Sequence, residues 1–479
     1  MWQAGEEIVV GRLGGLWVDR YELSMAWVYW REGRAREPAT FDYFFRTLPF
    51  GNGYAVFAGA ATLVELLESY RFDEEACGFL SRQGFPPEFL DYLRGWRFGG
   101  TVWTAREGEV VFPWEPVARV TGGLLEAQLI ETLLLNVLNF QTLIATKAAR
   151  CCEAAAGRFV SEFGLRRAQG LGGLWASRAA VIGGCVSTSN MAAAARYEVP
   201  SAGTMAHSFV QSYEDELTAF RKFAEVHGSN TVLLLDTYDT LRSGLPHAIT
   251  VARELAARGQ RLMGVRLDSG DLGALAKAVR AGLDAVGLRE VKILVSNQLD
   301  ERAIAQLVAE GAPIDGFGVG TLLATGQPDA ALDGVYKLAE CGGRPRMKIS
   351  EGLSKANLPG RKSVRRYEDG EGKFVGDVIC LETEPVGEEV ERLDEELPVP
   401  RVAGLEGESV LVPVMVNGEA VAENLVSVRA AAAYGRARRE KLPVGVRRLE
   451  HPARYPVGMS GGLARLREQL VAESRGTVQ

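Results

Sequence analysis

The chain has 479 residues, of which 47% are hydrophobic and 24% charged, and its formal net charge is −7. These values are ordinary for a globular protein of two or three domains and give no general attraction to nucleic acid or an anionic membrane. The six cysteines form no CxxC pair and there are only four histidines, so neither a disulfide framework nor a structural zinc site is expected. Glu6 and Glu7 lie where a secretory signal would need basic residues, so we expect a cytoplasmic protein.

The first 120 residues mix helical and strand patterns. Segment 21–32 is aromatic and amphipathic, 39–46 alternates like a strand, and 60–70 has a helical pattern. The most hydrophobic long segment, 124–149, is interrupted by several polar side chains. It therefore predicts a buried amphipathic helix rather than a membrane span.

Four apolar runs in the middle of the chain each end in a short polar signature, and they begin about thirty residues apart with helical stretches between them. This spacing is typical of βαβ units and predicts parallel strands. Parallel strands end on one face, where α/β barrels place their chemistry. Carboxylates beside a glycine-rich turn favour a sugar-phosphate site on that face. The runs are LLLDTYDT (233–240), GVRLDSGD (264–271), ILVSNQLD (293–300) and GFGVGT (316–321).

The end of the chain returns to β patterns, and 409–421 predicts a hairpin around the Asn417-Gly418 turn. We expect an α/β fold: an irregular, TIM-like α/β barrel flanked by an α+β domain that is built from both chain ends. The expected segments are 1–120 for the first part of the flanking domain, 121–370 for the barrel with the active site, and 371–479 for the rest.

His207 is one of the four histidines and lies in GTMAHSF (203–209), after the turn at Val199-Pro200. Two interpretations fit this position. The imidazole is either a core group bonded to a backbone carbonyl, or a neutral nucleophile or base at a strand end. Spacing alone leaves both open.

The run GVRLDSGDLG also has two interpretations. Asp268 or Ser269 would cap a helix that starts near Asp271, whose charge suits the helix dipole. Arg266, however, lies within an apolar strand, where an unpaired guanidinium is costly. An inward arginine two residues before an aspartate favours bidentate anion binding beside a carboxylate that binds hydroxyl groups or Mg²⁺. Capping does not exclude this function.

The glycines Gly318 and Gly320, followed by Thr321, come after a late strand of the predicted barrel. A helix N-terminus at that position commonly binds phosphate through backbone N–H groups. Arg166 and Arg167 are either surface charges or a clamp for a second anion.

The aromatic residue Tyr21 is either part of the core or a platform for a ligand. Its segment, DRYELSMAWVY, opens a long series of ordered signatures that together resemble the nicotinate phosphoribosyltransferase family, over roughly residues 15–460. The others are FFRTLPFGNGYAVFAG, LIETLLLNVLNFQTLIATKAAR, GLRRAQG, STSN, GTMAHSFV, LLDTYDTLRSG, VRLDSGDL, SNQLDE, GFGVGTLL, GVYKL, LPGRKSVRRY and YPVGMS.

The resemblance implies a type II phosphoribosyltransferase fold and an enzyme that joins nicotinate to C1 of 5-phosphoribosyl 1-pyrophosphate. The products are nicotinate mononucleotide and pyrophosphate, in a salvage route to NAD. The family couples this ligase-class reaction to ATP hydrolysis through a phosphorylated histidine. The residues implied are His207 and Asp268 for catalysis, Tyr21, Thr204 and Arg266 for nicotinate, and Arg166, Asp271, Gly318, Gly320 and Thr321 for phosphoribosyl pyrophosphate.

Mg²⁺ is expected to arrive with the substrate, with Asp268 as its protein contact, and no metal cage made of protein side chains alone is implied. ATP is a co-substrate. The active unit implied is a homodimer with shared sites, in which Tyr21 comes from the second subunit. The four-cysteine motif found in some relatives is absent, so no zinc is expected. Gln298 replaces an acidic residue that holds ribose in many relatives, which transfers that duty to Asp268.

The alternatives are a nicotinamide phosphoribosyltransferase and a catalytically silent relative that binds nucleotides. Enzymes that use the amide place an acidic residue near the position of Ser187–Asn190, whereas STSN is uncharged here and suits a carboxylate substrate. Quinolinate phosphoribosyltransferase needs more basic residues for its dicarboxylate. A silent relative has no need of His207.

Overall fold

The structure is a computed structural model, and it describes residues 14–348, 357–384, 390–395 and 397–477. Glu6 and Glu7, on which the expectation about a secretory signal depends, lie outside the described residues. None of the helices formed by the described part of the chain combines the length and apolar composition needed to cross a membrane.

The chain forms two compact units. The first consists of Met1–Leu143 and Ala331–Gln479, and the second of Ile144–Ala330. A unit assembled from both chain ends is the arrangement expected from the sequence. The domain boundaries expected from the sequence, at 120 and 370, differ from the limits of these two units and remain a prediction.

The α-helices of the described residues begin and end as follows: α1 Arg20–Arg31, α2 Ala60–Ser69, α3 Glu74–Arg82, α4 Pro87–Gly95, α5 Leu124–Leu129, α6 Glu131–Ala154, α7 Leu171–Gly183, α8 Met191–Tyr197, α9 His207–Gln211, α10 Glu216–His227, α11 Leu245–Ala257, α12 Leu272–Ala285, α13 Glu301–Ala309, α14 Thr321–Ala324, α15 Val428–Lys441 and α16 Gly461–Thr477.

The β-strands of the same residues are β1 Pro38–Phe45, β2 Ala55–Val56, β3 Thr101–Ala105, β4 Val110–Val111, β5 Ala118–Gly123, β6 Phe159–Glu162, β7 Ser187–Thr188, β8 Val232–Leu234, β9 Gly264–Leu267, β10 Lys292–Ser296, β11 Gly316–Val319, β12 Gly334–Cys341, β13 Arg344–Pro345, β14 Lys362–Glu368, β15 Phe374–Leu381, β16 Val390–Arg392, β17 Gly407–Ser409, β18 Leu411–Val416, β19 Glu419–Ala420 and β20 Val457–Ser460.

The second unit contains a sheet whose strands, among the described residues, follow the order β7-β6-β11-β10-β9-β8. Every neighbouring pair is parallel. Helices α10, α11, α12 and α13 alternate along the chain with β8 to β11. This alternation is the βαβ pattern expected from the spacing of the apolar runs.

The strand order makes this sheet an incomplete ring. The last strand, β11, pairs with the first, β6, while β8 to β11 neighbour one another in chain order. On the other side, β7 is extended by a parallel bridge between Thr188 and Ser201. In the described residues the ring is therefore open only between Ser201 and β8, and the expectation of an irregular α/β barrel is confirmed.

The first unit is built mainly on one antiparallel sheet and one mixed sheet, in which only β15 and β20 are parallel among the described strands. This gives the expected α+β composition. Within the described residues the strand orders of the two sheets are β13-β12-β1-β5-β3-β18-β19 and β16-β20-β15-β14-β17, and β2 pairs with β4 separately. The hairpin expected around Asn417-Gly418 joins β18 to β19. Both turn residues have positive φ, 50° and 82°, as a type I′ turn requires.

The long apolar segment 124–149 forms two helices rather than one, α5 and α6, which are separated at Ile130. In the second unit, the buried Glu301 at the start of α13 forms ion pairs with Lys147 and Arg150 of α6, the latter over 2.9 Å. Burial alone would raise the pKa of Glu301, but its two cationic partners lower the pKa below its ordinary value. The carboxylate is therefore held in its charged form between two elements of the second unit.

Candidate active site

Polar side chains follow three neighbouring strands of the parallel sheet at the same level. Leu234 of β8 pairs in register with Arg266 of β9, so Asp236 and Asp268 follow their strands side by side. On the other side of β9, the register continues to Ser296, the last residue of β10. The expectation that these strand ends meet is confirmed for this part of the sheet.

The guanidinium of Arg266 is bonded on all three nitrogens. Nη2 lies 3.0 Å from Oδ2 of Asp268, Nε donates to Oγ of Ser296 at 2.9 Å, and Nη1 donates to Oγ1 of Thr204 at 2.9 Å. A longer bond, 3.3 Å, runs from Nη1 to the carbonyl of Met205. Arg266 and Thr204, which were both predicted to contact nicotinate, are thus direct neighbours. The charge inside the strand is balanced by Asp268.

The carboxylate of Asp268 is engaged on both oxygens, because Ser296 donates its hydroxyl proton to Oδ1 at 2.5 Å while Arg266 holds Oδ2. Its side chain is only a quarter exposed. Asp268 is therefore fixed in one orientation by two neighbouring strands. This is the preorganisation that a carboxylate facing a reacting ribose needs.

His207 is the first residue of α9 and its ring is partly exposed. Nδ1 lies 3.1 Å from Oγ1 of Thr237, and Nε2 lies 3.8 Å from Oδ2 of Asp268. The second distance is too long for a hydrogen bond, so Nε2 keeps room for another group. This placement at the strand ends favours the functional interpretation of His207 over that of a buried core histidine.

Asp236 connects the end of β8 to the turn after β9. Its Oδ2 accepts hydrogen bonds from the backbone N–H of Asp268, at 2.9 Å, and from Oγ of Ser269, at 2.5 Å. Its Oδ1 is buried and has no hydrogen-bond partner. Because an unsatisfied buried carboxylate oxygen is costly, Oδ1 is the atom of the site that is most in need of a ligand or a donor.

Asp271 caps helix α12, since its Oδ1 accepts from the N–H of Ala274 at 3.0 Å. The capping interpretation of Asp268 or Ser269 is therefore wrong, because Asp271 is the cap and those two residues are bonded at other strand ends. Asp239 has a comparable role, accepting from the N–H groups of Leu241 and Arg242 at the start of a π-helical turn, Thr240–Gly244.

The glycine turn after β11 has a packing explanation. A Cβ at Gly318 would lie 2.6 Å from the Phe163 ring, and a Cβ at Gly320 would lie 3.0 Å from the Phe163 carbonyl oxygen. Both positions therefore need glycine to fit against Phe163. Thr321 follows as the first residue of the short helix α14. Phosphate binding by this turn remains a prediction.

Arg166 and Arg167 lie in a 3-10 turn, Leu165–Arg167, with both side chains exposed. The turn is anchored by Glu162, which is fully buried and accepts a hydrogen bond from the N–H of Gly164. Both arginines are thus presented to solvent from a fixed base. Their role as an anion clamp remains a prediction.

The STSN segment is used largely in the protein's own bonds. Thr188 and Ser177 both donate to Oε2 of Glu162, at 2.6 and 2.8 Å, and Ser187 shares a 2.7 Å hydrogen bond with Ser161. Asn190 caps α8. The segment itself is uncharged, but a carboxylate touches it, so its lack of charge does not by itself decide between an acid and an amide substrate.

Tyr21 belongs to the first unit and lies on α1, with about half of its surface exposed. Partial burial, together with the carboxylates of Glu131 and Glu22, raises the pKa of its phenol above the ordinary value. The hydroxyl therefore keeps its proton at neutral pH and can donate it, with the Glu131 carboxylate among the groups nearby. Contact with nicotinate remains a prediction.

Sequence reasoning missed two groups of the site, Thr237 and Ser296. Each lies inside a signature that was singled out for other residues, Thr237 in LLLDTYDT and Ser296 in ILVSNQLD. Their position next to the strand ends was the available signal. Among the described residues, no group of three or more His, Cys, Asp or Glu side chains is arranged to hold a metal ion.

Models of three protein families match the chain. They are the nicotinate phosphoribosyltransferase (NAPRTase) N-terminal domain over residues 16–139, the nicotinate phosphoribosyltransferase (NAPRTase) family over 159–376, and the nicotinate phosphoribosyltransferase C-terminal domain over 361–467. The matches cover both structural units.

Individual proteins show the same similarity. The chain is 44% identical to nicotinate phosphoribosyltransferase pncB2 of Mycobacterium tuberculosis over 96% of each chain. It is 46% identical to nicotinate phosphoribosyltransferase of Bacillus subtilis, over 78% of this chain and 77% of the relative. The crystal structure of human nicotinic acid phosphoribosyltransferase superposes with a TM-score of 0.83 at 34% identity, covering 94% of this chain and 99% of the human one.

Proposed function

The chain belongs to the nicotinate phosphoribosyltransferase family, and on that premise we propose that it joins nicotinate to C1 of 5-phosphoribosyl 1-pyrophosphate. The products are nicotinate mononucleotide and pyrophosphate, a step in NAD salvage. The observation that carries the residue assignment is the connected cluster of Thr204, Arg266, Asp268 and His207 at the strand ends.

Nicotinate is a planar anion, and Arg266 beside Thr204 offers it a guanidinium and a hydroxyl group. The bonds given above leave one N–H of Nη2 available, and the Met205 carbonyl, at 3.3 Å, is the most weakly held partner. A carboxylate that displaces this carbonyl gains a charge-assisted hydrogen bond. Tyr21, supplied by a second subunit of a homodimer, would stack on the pyridine ring.

Phosphoribosyl pyrophosphate would lie with its ribose over Asp268. As pyrophosphate departs, the ribose gains oxocarbenium character, and a carboxylate held rigidly by Arg266 and Ser296 stabilises that charge. Arg166, Asp271 and the turn at Gly318, Gly320 and Thr321 are proposed to hold the remaining phosphate and hydroxyl groups.

Mg²⁺ is proposed to enter with the pyrophosphate, where it would neutralise the departing anion. The buried Oδ1 of Asp236, which has no hydrogen-bond partner, fits a contact to a metal-bound water or to a ribose hydroxyl. Both oxygens of Asp268 are already engaged, which makes Asp236 the better placed of the two carboxylates for this contact.

ATP coupling is proposed to run through His207. With the proton on Nδ1 donated to Thr237, Nε2 carries the lone pair and can attack the γ-phosphorus of ATP, releasing ADP. The phosphoryl group adds roughly two negative charges close to Asp268, from which Nε2 is 3.8 Å away. The added charge beside the Asp268 carboxylate strengthens the negative field that stabilises a cationic ribose. Water then hydrolyses the phosphohistidine.

The test is activity of the purified enzyme with nicotinate and with nicotinamide, each with and without ATP. We expect transfer to nicotinate that ATP stimulates, and an acid-labile phosphoryl group in wild type that His207→Ala lacks. The measurement with nicotinamide is informative because enzymes that use the amide place an acidic residue near Ser187–Asn190, and here the Glu162 carboxylate contacts Thr188 of that segment. Equal rates with nicotinamide would contradict the assignment to nicotinate, and an unchanged ATPase in His207→Ala would remove this histidine from the mechanism.

A further inference from the structure

The chain segment that carries His207 is fixed to helix α10. Phe209, two residues after the histidine, packs edge-on against Phe223 of α10, with ring centroids 5.6 Å apart. Tyr213 also packs at this contact, with its ring centroid 5.2 Å from that of Phe209. The position of the imidazole therefore depends on α10.

The segment that carries Thr237 is fixed to the same helix by a different contact. Glu216, the first residue of α10, accepts a 2.5 Å hydrogen bond from Ser243 and a 2.8 Å hydrogen bond from Nδ1 of His247, both on one oxygen. Ser243 lies in the π-helical turn Thr240–Gly244. Turns of this type inside helices frequently occur at functional sites.

The π-helical turn is in direct contact with the end of strand β8. A Cβ at Gly244 would lie 2.1 Å from the carbonyl oxygen of Leu235, so the two backbones touch and only glycine fits. Leu235 is two residues before Thr237. A displacement of Ser243 is therefore passed on to Thr237 through packed backbone.

Glu216 has a geometry that a purely structural residue does not need. Its side chain is 2% exposed, and its second oxygen, Oε1, is buried without a hydrogen-bond partner. A buried carboxylate that is half satisfied is costly for the fold. The titratable groups near it are His247 of α11, whose Nδ1 lies 2.8 Å from Oε2 of Glu216, and Asp215, the residue that precedes it in the chain.

We propose that Glu216 is a positioning residue of the histidine site. By binding Ser243 and His247 it fixes the segment of Thr237 relative to α10, which already fixes the segment of His207, and so sets the 3.1 Å contact between Thr237 and Nδ1. The inference rests on the proposed phosphorylation of His207. Arg266 and Thr204 are held by other strand ends, so nicotinate binding should not depend on Glu216.

The experiment compares Glu216→Ala with Glu216→Gln in the full-length enzyme. The rate at which labelled ATP phosphorylates His207 is measured together with the KM for nicotinate. Glu216→Ala should slow phosphorylation about tenfold, because a small misplacement of a reacting group is expensive, while the KM changes less than about twofold. Glu216→Gln should recover most of the rate, since its amide oxygen can accept both hydrogen bonds.

The matched control is Glu254→Ala. Glu254 of α11 forms a 2.7 Å ion pair with Arg221 of α10, so this variant removes another tie between the same two helices. It should phosphorylate at the wild-type rate. If Glu216→Ala does not fold, Ser243→Ala removes one of the two hydrogen bonds and should slow phosphorylation about threefold.

Three outcomes would overturn the inference. They are wild-type labelling in Glu216→Ala and Ser243→Ala, equal losses in Glu216→Ala and Glu254→Ala, and a nicotinate KM that rises as much as the rate falls. In each of these the wild type is labelled, so the proposed function stands. An unlabelled wild type would instead remove ATP coupling from the proposed function, and this inference with it.

Discussion

The guanidinium of Arg266 holds the carboxylate of Asp268 at 3.0 Å, and the two residues are separated in the chain by a single leucine. Because alternate residues of a strand point to the same side, an arginine and an aspartate at this spacing form a fixed pair at the end of β9. The pair carries little net charge, and it presents a cation and an anion to different parts of the same bound complex.

Arg266→Lys should raise the KM for nicotinate roughly tenfold to a hundredfold, since hydrogen bonds to charged groups contribute about 1.5–3 kcal/mol. A lysine keeps the charge but cannot reach Asp268, Ser296 and Thr204 together. Steady-state kinetics measures the change, and the exposed Arg258→Lys is the matched control. An equal loss of ATP hydrolysis would point to disruption of the whole site instead.

Thr237→Val should slow the phosphorylation of His207 by ATP about fivefold to tenfold, because one neutral hydrogen bond is removed at nearly constant shape. Thr237→Ser keeps the hydroxyl and should retain the rate. Phosphorus NMR of the labelled wild type should show the phosphoryl group on Nε2. A phosphoryl group on Nδ1 would contradict the geometry proposed for attack.

Glu22 should make the stability of the enzyme depend on pH. Its carboxyl is buried and accepts two hydrogen bonds from Thr132, and burial raises its pKa from 4.5 to about 8. The folded state therefore binds this proton more tightly than the unfolded state. The contribution is fully present below pH 4.5 and is lost as the pH rises toward 8.

The prediction for Glu22 is a melting temperature that falls between about pH 5 and pH 8 in wild type and falls less in Glu22→Gln. Calorimetry of both proteins at matched ionic strength measures the difference. Parallel pH profiles in the two proteins would assign the effect to other groups.

Glu301→Ala should destabilise the fold by about 3–5 kcal/mol, because it leaves Lys147 and Arg150 as buried charges without their carboxylate. The exposed Glu290→Ala should change stability by less than about 0.5 kcal/mol. Urea unfolding of the two variants provides the comparison. Equal midpoints would show that the buried cluster adds nothing to stability.

The sequence was sufficient to predict the strand ends of the second unit, because each strand is a continuous apolar run and the polar residues follow it directly. It also predicted a helix that starts near Asp271, although the residue that caps this helix is Asp271 itself and not Asp268 or Ser269. Local patterns of this kind can be recognised in a single sequence, because all the residues involved are close together in the chain.

The partners across the site could not be predicted in the same way. Thr237 meets His207 across 30 residues of chain, Ser296 meets Asp268 across 28, and Thr188 meets Glu162 across 26. Such contacts depend on strand order and register, which no local pattern contains. The glycine turn is a different case, because close packing against Phe163 also explains its glycines, and its binding of phosphate stays a prediction.

The barrel is open between Ser201 and β8, and the stretch that leads to the histidine begins at Ser201, on one side of this opening. On either side of this opening, each strand of the sheet forms main-chain hydrogen bonds with a neighbouring strand. These hydrogen bonds would resist even a small displacement of a strand. Thr204 is instead secured by its side chain to Arg266. A phosphoryl group on the imidazole would thus lie next to a stretch that is held by side-chain contacts rather than by the hydrogen bonds of a sheet.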